Sequence, residues 1–377
     1  MPGRSLCHLI FLFCLVADCL GQGTPRHPAR KANRTVEKVS LTEVTTVQVP
    51  SLPAESLVAP LLCDPDGRIF LRLAMPDTGL RDPVLVSSDG KSVIEFSHQK
   101  INDIAEPVLF RMFLAGSELY ALAGGSVPLN RELNLQTPNG KTITEQATEN
   151  RMFIARFEPD GSYAGAVRLD LPFEPHQLGV FADGDFLIAG ADPSTYDPRA
   201  AIVGSDGQFR RFIELKGDVH AQEEPYPASK DKDPTALPRL KAARGDSLRD
   251  IVMSSEVVQD GANILLFRDW NSPIYSISPS GDVRARRLKM GGDFRIFTIK
   301  ATRSSWIVEF LRSPTQGDGE FATFAFDPES GNPLREYSFP SELGWGLACT
   351  NGEEFTFVAA DRETHNLKIV KLAPAVN

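Results

Sequence analysis

Short turn signals that contain glycine recur along the chain and constrain its fold more than any other feature. Most are Asp-Gly pairs, and each lies between two short apolar runs. This pattern predicts a β-hairpin, because Asp-Gly favours tight turns in which both central residues have positive φ. The stretch Met152 to Leu215 carries the pattern most clearly, with two such hairpin pairs in succession.

The turns are of two kinds, which alternate along the sequence. Turns of the first kind separate runs rich in Leu, Ile, Phe and Ala, and they lie at Asp66-Gly67, Gly116-Ser117, Asp183-Gly184, Asp260-Gly261, Arg303-Ser304 and Asn351-Gly352. Turns of the second kind precede runs that carry more charge, and they lie at Asp89-Gly90, Asp160-Gly161, Asp206-Gly207, Ser280-Gly281 and Ser330-Gly331. If each pair of turns belongs to one four-stranded unit, the last unit lacks its outermost strand.

A strand-like stretch from Thr35 to Val49, rich in Val and Thr, can supply that missing strand. The predicted fold is therefore all-β: a six-bladed β-propeller of four-stranded antiparallel blades, with the ring closed by an N-terminal strand. Closure of this kind removes the unpaired first and last edges. The propeller is predicted to span residues 35–377, with long insertions at 126–150 and 220–250 that fall on the side opposite the first kind of turn.

One repeat resembles a known family. Phe173 to Val180, followed by Asp183 to Asp192, is similar to the NHL-type repeat, in which a Pro-bounded loop leads to an apolar strand, an Asp-Gly turn and a strand that ends in Ala-Asp. The stretches Pro50 to Leu73 and Leu343 to Asp361 carry weaker versions. The resemblance implies a six-bladed propeller, and such propellers are mostly binding platforms with some enzymes among them.

The beginning of the chain predicts export to the periplasm or the extracellular space. Residues 1–21 have a positive start and a short apolar core, as a signal peptide does, and residues 22–34 read as a flexible leader. A lipid anchor on Cys19 is the alternative. The net charge of −9 argues against a nucleic-acid partner, and no later apolar run is long enough for a transmembrane segment. We expect a monomer.

Three aspartates are the candidates for a metal site. Asp192, Asp269 and Asp361 each follow the second strand of a predicted blade, at the mouth of the predicted central channel. Convergent carboxylates can bind a hard divalent cation such as calcium, and a metal-bound water could then perform hydrolysis. The alternative is that each aspartate caps a turn through its own side chain.

The candidates for a binding surface are His176, Tyr196, Trp270 and Trp345, which we place on loops of one face. Exposed aromatic side chains around an opening suit peptide or sugar recognition, because they offer a large contact area with few rotatable bonds. The alternatives are that Trp345 packs between blades and that His176 is a loop residue hydrogen-bonded to backbone.

Two cysteines, Cys63 and Cys349, remain in the predicted mature chain. Each comes just before the first turn of its blade, and the two blades are the first and the last. In a closed ring those blades are neighbours, so we expect a disulfide that joins them; a Cα separation above about 7 Å would exclude it. Two buried free thiols are the alternative.

No catalytic motif accompanies these features, and the sequence leaves the activity open. We expect an exported binding or scaffolding propeller that recognises a protein, peptide or glycan on its loop face. The alternative is a metal-dependent hydrolase or lactonase with a divalent cation in the channel. A purely structural envelope component is a third possibility.

Overall fold

The computed structural model describes one compact unit within Val36–Asn377. The described residues are 36–375, apart from these gaps: 54–56, 76–78, 81–82, 97–100, 102–103, 105–106, 137–138, 140, 218–247, 269–271, 291–293, 313–319, 341–342, 344–345, 362 and 365. The predicted signal peptide and leader, most of the 220–250 insertion, Asp269, Trp270 and Trp345 therefore lie outside the described residues.

The described part of the chain is almost entirely β-structure, with one short helix. Its strands are β1 (Glu37–Pro53), β2 (Leu57–Cys63), β3 (Ile69–Met75), β4 (Gly79–Leu80), β5 (Val84–Val86), β6 (Val93–Glu95), β7 (Val108–Ala115), β8 (Glu118–Gln136), β9 (Thr142–Phe157), β10 (Tyr163–Arg168), β11 (Glu174–Val180), β12 (Phe186–Ala191), β13 (Pro198–Val203), β14 (Phe209–Ile213), β15 (Glu256–Asp260), β16 (Asn263–Phe267), β17 (Ile274–Ile277), β18 (Val283–Arg286), β19 (Phe294–Ala301), β20 (Trp306–Arg312), β21 (Glu320–Phe326), β22 (Pro333–Ser338), β23 (Leu347–Asn351), β24 (Glu354–Ala360) and β25 (Asn366–Pro374). The helix α1 (Leu248–Ser254) packs on β11, β12 and β13.

Successive strands pair antiparallel into the sheets of a propeller-like arrangement. Four sheets are separate blades: β2-β3-β5-β6 with β4 paired to β3, β7 to β10, β11 to β14, and β15 to β18. The other strands form one open eight-stranded sheet in the order β19-β20-β21-β22-β1-β25-β24-β23. The prediction of six separate four-stranded blades is thus corrected to four separate blades and one larger sheet.

The reason for the larger sheet is that β1 pairs on both sides. Residues Glu37 to Ser40 pair in parallel with β22, and Leu41 to Pro53 pair antiparallel with β25. The N-terminal strand therefore completes the last sheet and also joins it to the sheet before it.

Six strands, which we call the innermost strands, pack side by side in a closed circuit around one axis. They are β2, β7, β11 and β15, which begin the four blades, and β19 and β23, which are the two edge strands of the eight-stranded sheet. Buried apolar clusters fill the space between neighbouring sheets and return from the last sheet to the first. Strand β12, for example, is buried along its whole length, as a strand covered on both faces must be. The core is thus a series of layers between sheets.

The glycine turns have a different geometry from the one that Asp-Gly alone predicts. At the ten turns that contain glycine, the glycine has a φ between +60° and +87°, and Tyr196 is the only described residue other than glycine with a positive φ. At Gly184 the N–H donates to the Phe181 carbonyl. This is a type I turn followed by a left-handed glycine, in which Asp183 keeps ordinary backbone angles. Gly116, Gly261 and Gly352 are instead the first residues of two-residue hairpin loops. The turn without glycine closes instead through the Thr302 hydroxyl, which accepts from the Ser305 N–H.

The expected loop at 126–150 is mostly strand. Residues 125–136 of β8 and 142–151 of β9 continue the hairpin beyond the blade as a two-stranded arm, with a register shift between Pro128 and Glu132. The alternation of Val127, Leu129, Leu133 and Leu135 is the sequence signal for this strand.

Candidate functional site

An axial cavity of about 500 Å³ lies where the innermost strands approach their first turns. Five of the six innermost strands, β2, β7, β15, β19 and β23, contribute to its wall. Its lining combines apolar and polar side chains, among them Leu62, Phe113, Gln259, Lys300 and Thr350. A cavity of this size and mixed lining is typical of small-molecule sites.

A disulfide forms part of the cavity wall. Cys63 at the end of β2 is bonded to Cys349 on β23, and their Cα atoms lie 5.4 Å apart. The bridge joins the first blade to the eight-stranded sheet across 286 positions of sequence. It fixes the wall of the cavity covalently at the point where the two ends of the circuit meet.

The amine of Lys300 reaches across the ring beside this disulfide. Lys300 lies on β19, and its Nζ donates a hydrogen bond of 2.5 Å to the carbonyl oxygen of Leu61 on β2. Strand β23 packs against both β2 and β19. The lysine therefore crosses in front of β23, and its side chain is partly exposed at the cavity wall.

The charge of Lys300 is destabilised where it lies. Burial lowers the pKa of its amine to about 8, although the carboxylates of Glu256 and Glu309 act in the opposite direction. A lysine with a lowered pKa is partly neutral near physiological pH, and a neutral amine is a base and a nucleophile.

The carboxyl of Glu309 on β20 shows the matching effect. Glu309 is only 1% exposed, and it accepts hydrogen bonds from the backbone N–H groups of Gly346 and Leu347. Burial raises its pKa to about 7, against the effect of those N–H groups and of Lys300. Its cross-strand neighbours are Thr298 and Thr323, whose hydroxyl groups have no partner within the described residues. Glu309 on β20 thus hydrogen-bonds the backbone at the start of β23.

Further charged groups line the other end of the innermost strands. Arg111 on β7 donates from Nε to the His176 carbonyl oxygen at 3.4 Å. Burial lowers the pKa of Arg111, and the carboxylate of Glu256 on β15 opposes this effect only in part. Burial also lowers the pKa of the His176 imidazole; Glu174 opposes this effect and Arg111 adds to it. Groups from β7, β11, β15 and β19 therefore influence one another electrostatically along the axis.

His176 occupies a strand and not a loop. It is the third residue of β11, at a register shift between Pro175 and Gln177, and it is half-buried. The prolines around it favoured a loop in the sequence, but the bulge accommodates Pro175 at the start of the strand. His176 therefore belongs to the axial wall, at the end away from the cavity.

The described metal candidates are turn residues. Asp192 Oδ1 accepts from the Ser194 hydroxyl and from the N–H groups of Ser194 and Thr195. These hydrogen bonds, that of the Ser194 hydroxyl first, lower the pKa of Asp192 to about 2. The carboxylate of Asp192 thus caps the turn that follows its strand, as the alternative interpretation stated.

Asp361 is engaged in the same way. Its carboxylate accepts from the N–H groups of Glu363 and Thr364 and from the Gln48 amide of β1. The Thr364 N–H first, and the Gln48 amide next, hold its pKa well below the ordinary value. Within the described residues no three His, Cys, Asp or Glu side chains group as metal ligands. Asp269 lies outside the described residues, so the metal site stays a prediction.

Tyr196 lies in the turn that Asp192 caps. It is 51% exposed, has a φ of +60°, and stacks under the guanidinium of Arg249, whose Cζ is 5.0 Å from the ring centre. Trp270 and Trp345 lie outside the described residues. Tyr196 is thus the only aromatic residue of the predicted binding surface that lies within the described residues, and that surface stays a prediction.

The axial charges were missed in the sequence, although each leaves a signal there. Arg111, Lys300 and Glu309 interrupt the apolar runs VLFRMFLA, FTIKA and WIVEFL. A lone charge inside a run that reads as a buried strand marks a group that must be paired or neutralised in the fold. Which of these charges meet cannot be read from the runs themselves.

No helix in the part of the chain that the structure describes is long and apolar enough to cross a membrane.

Comparisons with known proteins give structural likeness only. No family model matches the chain, and no curated protein matches it. A protein of unknown function from Dyadobacter fermentans aligns with a TM-score of 0.44 at 10% identity, over 89% of this chain and 99% of that one. A xylan β-1,4-xylosidase from Bacillus halodurans aligns with a TM-score of 0.37 at 9% identity, over 85% and 68%. All of these TM-scores are below 0.5, so nothing about the activity of this chain follows from them.

Proposed function

We propose that this chain is an exported binding propeller that holds a small polar ligand in the axial cavity. The observation that supports this function is the cavity of about 500 Å³ with the Lys300 amine held at its wall. Such a volume suits a ligand of the size of a monosaccharide or a short dicarboxylic acid. A glycan remains within the expected ligand classes, now as a single sugar unit.

The architecture that supports this proposal is a ring of six radial units. Four are the separate blades, and we infer that the eight-stranded sheet contributes two more, merged through β1. The closed circuit of six innermost strands supports this count. Because the Cys63–Cys349 disulfide cross-links this ring, the cavity would be preformed before a ligand binds. A preformed site reduces the conformational entropy lost on binding.

The position of the cavity changes the expected binding face. The cavity adjoins the first turns of the blades, whereas His176 and Tyr196 lie towards the opposite ends of the innermost strands. A ligand in the cavity would meet Gln259, Lys300 and Thr350, and not the predicted aromatic residues.

Blocking the cavity tests the proposal. We expect the chain to bind one or more members of a panel of monosaccharides and short carboxylic acids in isothermal titration calorimetry. Gln259→Trp places a large ring at the cavity wall and should abolish that binding, whereas Gln208→Trp, the same change on an exposed turn, should leave it intact. Equal binding by both variants would refute an axial site.

A second candidate function, docking of a protein partner on the loop face, is favoured by the β8–β9 arm. Beyond Gly124 the two strands of the arm pair only with each other in the described structure, so the outer edge of each is open. Val108 and Phe110, near the base of the arm, are half exposed. Open strand edges beside apolar side chains favour strand addition by a partner. Replacing 126–150 by a two-residue turn should remove partner binding while the axial site still binds its ligand.

The metal-dependent hydrolase remains the alternative for the residues that the structure does not describe. Its test is the divalent-metal content of the chain purified without chelators. One tightly held ion per chain would support it.

A further inference from the structure

Lys300 is the only amine on the cavity wall, among the described residues. Among the other groups there, Cys63 and Cys349 are bonded to each other, the Asp64 carboxylate is paired with Arg68 at 2.6 Å, and the Thr350 hydroxyl is a much weaker nucleophile than a neutral amine. Chemistry at this wall therefore depends on the Lys300 amine.

The position of that amine is fixed. Its hydrogen bond to the Leu61 carbonyl uses one N–H, so the neutral amine keeps its lone pair, and Lys300 forms part of the cavity wall. The charged groups that act on it are the carboxylates of Glu256 on β15 and Glu309 on β20, while Asp64 on β2 is neutralised by Arg68. The amine is thus held in place, beside a space large enough for a reaction partner.

We propose that Lys300 captures a small aldehyde or ketone in the axial cavity as a reversible imine. This inference rests on the binding function proposed above and names the ligand class as carbonyl compounds. The open-chain forms of sugars and the 2-oxo acids are two members of that class that fit the volume.

The reaction is balanced without an oxidant or a reductant. The lone pair of the neutral amine attacks the carbonyl carbon, a C–N bond forms, and the carbonyl oxygen takes up the proton that the nitrogen loses. The hydroxyl of this carbinolamine takes up a proton and leaves as water while the C=N bond forms, and the nitrogen of the resulting iminium then releases one proton. The net change is amine plus carbonyl to imine plus water.

The surroundings of Lys300 supply what these steps need. Burial lowers the pKa of the amine to about 8, so a substantial fraction is neutral near pH 8, whereas a solvated lysine has a pKa near 10.4. The carboxyls of Glu256 and Glu309 act on the charge of this amine, and the protons of the later steps exchange with solvent water.

Reductive trapping tests the inference on the intact disulfide-bonded chain. The protein is incubated at pH 8 with propanal or glyoxylate and cyanoborohydride, which converts an imine into a stable secondary amine, and the modified lysines are identified by peptide mass spectrometry. The internal references are Lys38 and Lys91, whose side chains are 83% and 85% exposed. We expect Lys300 to be labelled at least roughly tenfold faster than either, because more of it is neutral.

Two variants sharpen this result. Lys300→Arg keeps a cation but has no nucleophilic amine, so the fast adduct should disappear, and Lys91→Arg is the matched surface control that should keep it. Labelling of Lys300 no faster than Lys38 and Lys91 in the wild-type chain would overturn the inference. This comparison holds within one protein and does not depend on whether Lys300→Arg folds.

A separate titration distinguishes the imine from the binding function. Propanol and glycolate resemble the two probes but cannot form an imine. If either binds in calorimetry and is blocked by Gln259→Trp while Lys300 stays unlabelled, the axial binding site stands and the imine is refuted. If Lys300 is labelled rapidly and the label is lost in Gln259→Trp, the imine is supported at that site.

Discussion

The carboxylates at the turns and the buried carboxyl of Glu309 on β20 accept the same kind of hydrogen bond and behave in opposite ways. Asp361 and Glu309 each accept from two backbone N–H groups. The pKa of Asp361 is held low, whereas burial raises the pKa of Glu309 to about 7. Burial therefore decides the direction, because the cost of desolvating a buried charge exceeds what two N–H groups return.

The difference teaches where to look for chemistry in this molecule. An aspartate at a turn is satisfied by its own neighbours in sequence and stays charged, as Asp192 and Asp361 do. The groups at the axis are brought together from distant strands, and their charge is only marginally favoured. Groups with shifts towards neutrality beside a cavity are the usual candidates for acid–base or nucleophilic roles.

The largest expected effect is that of removing the Cys63–Cys349 disulfide from the cavity wall. Replacing Cys63 and Cys349 by serine removes a cross-link that spans 286 positions, and we expect the free energy of unfolding to fall by about 4 kcal/mol. Denaturant unfolding under non-reducing conditions measures this loss. The wild-type chain in reductant is the control and should match the double variant; a loss below about 1 kcal/mol would show that packing alone closes the ring.

The next effect tests the buried carboxyl directly. The folded-state pKa of Glu309 lies above the ordinary 4.5, so the folded chain holds this proton more tightly than the unfolded chain does. Its contribution to stability is then complete below pH 4.5 and is lost as pH rises through about 7, by up to about 3 kcal/mol. Glu309→Gln should abolish this loss, as urea unfolding at pH 5 and pH 7.5 would show.

The matched control for Glu309 is Asp361→Asn. The pKa of Asp361 is lowered from 3.8, so its titration falls below pH 3.8 and the variant should keep the wild-type slope between pH 5 and pH 7.5. If Glu309→Gln and Asp361→Asn gave the same slope, burial would not distinguish the two carboxyls.

The smallest expected effect is at the Asp192 turn. Its folded-state pKa of about 2 lies below the ordinary 3.8, so its contribution is present above pH 3.8 and is lost as pH falls towards 2. We expect Asp192→Asn to lower the melting temperature by no more than roughly 3 °C at pH 7, and by less at pH 3. Ligand binding at the axis should not change. A loss of axial binding in this variant would break the separation between the two regions.

The sequence predicted the local features of the fold well, because turn signals are local. Each glycine of the alternating turns occupies a left-handed turn position, and β1, which contains most of the predicted N-terminal strand, pairs with β25 in the eight-stranded sheet. The double pairing of β1 was not predicted, since its first four residues turn to a different partner from the rest. The arm at 126–150 was taken for an unpatterned insertion because it is polar and rich in Asn, Thr and Gln, which conceals the alternation of its apolar residues.

The axial site could not be predicted because it depends on long-range assembly. Lys300 and Leu61 are 239 positions apart, and the burial that shifts the pKa of Lys300 exists only when the ring is formed. The disulfide between Cys63 and Cys349 is an exception. Each cysteine comes just before the first turn of the first or the last predicted blade, so the pairing could be predicted without knowledge of side-chain packing. Asp192 and Asp361 drew attention because they recur, and recurrence is what a turn cap also produces.

The pairing of β1 has a consequence for how the chain comes to be folded during synthesis. Strand β1 is synthesised before its partners, β22 and β25, which lie at residues 333–338 and 366–374. The four separate blades can form while β1 is still unpaired, but the circuit can close only after β25 has been synthesised. Contacts of such long sequence separation make the last step slow, and until then the edges of β22 and β25 are open to other chains. Shutting the ring should therefore be the rate-limiting event in its biogenesis.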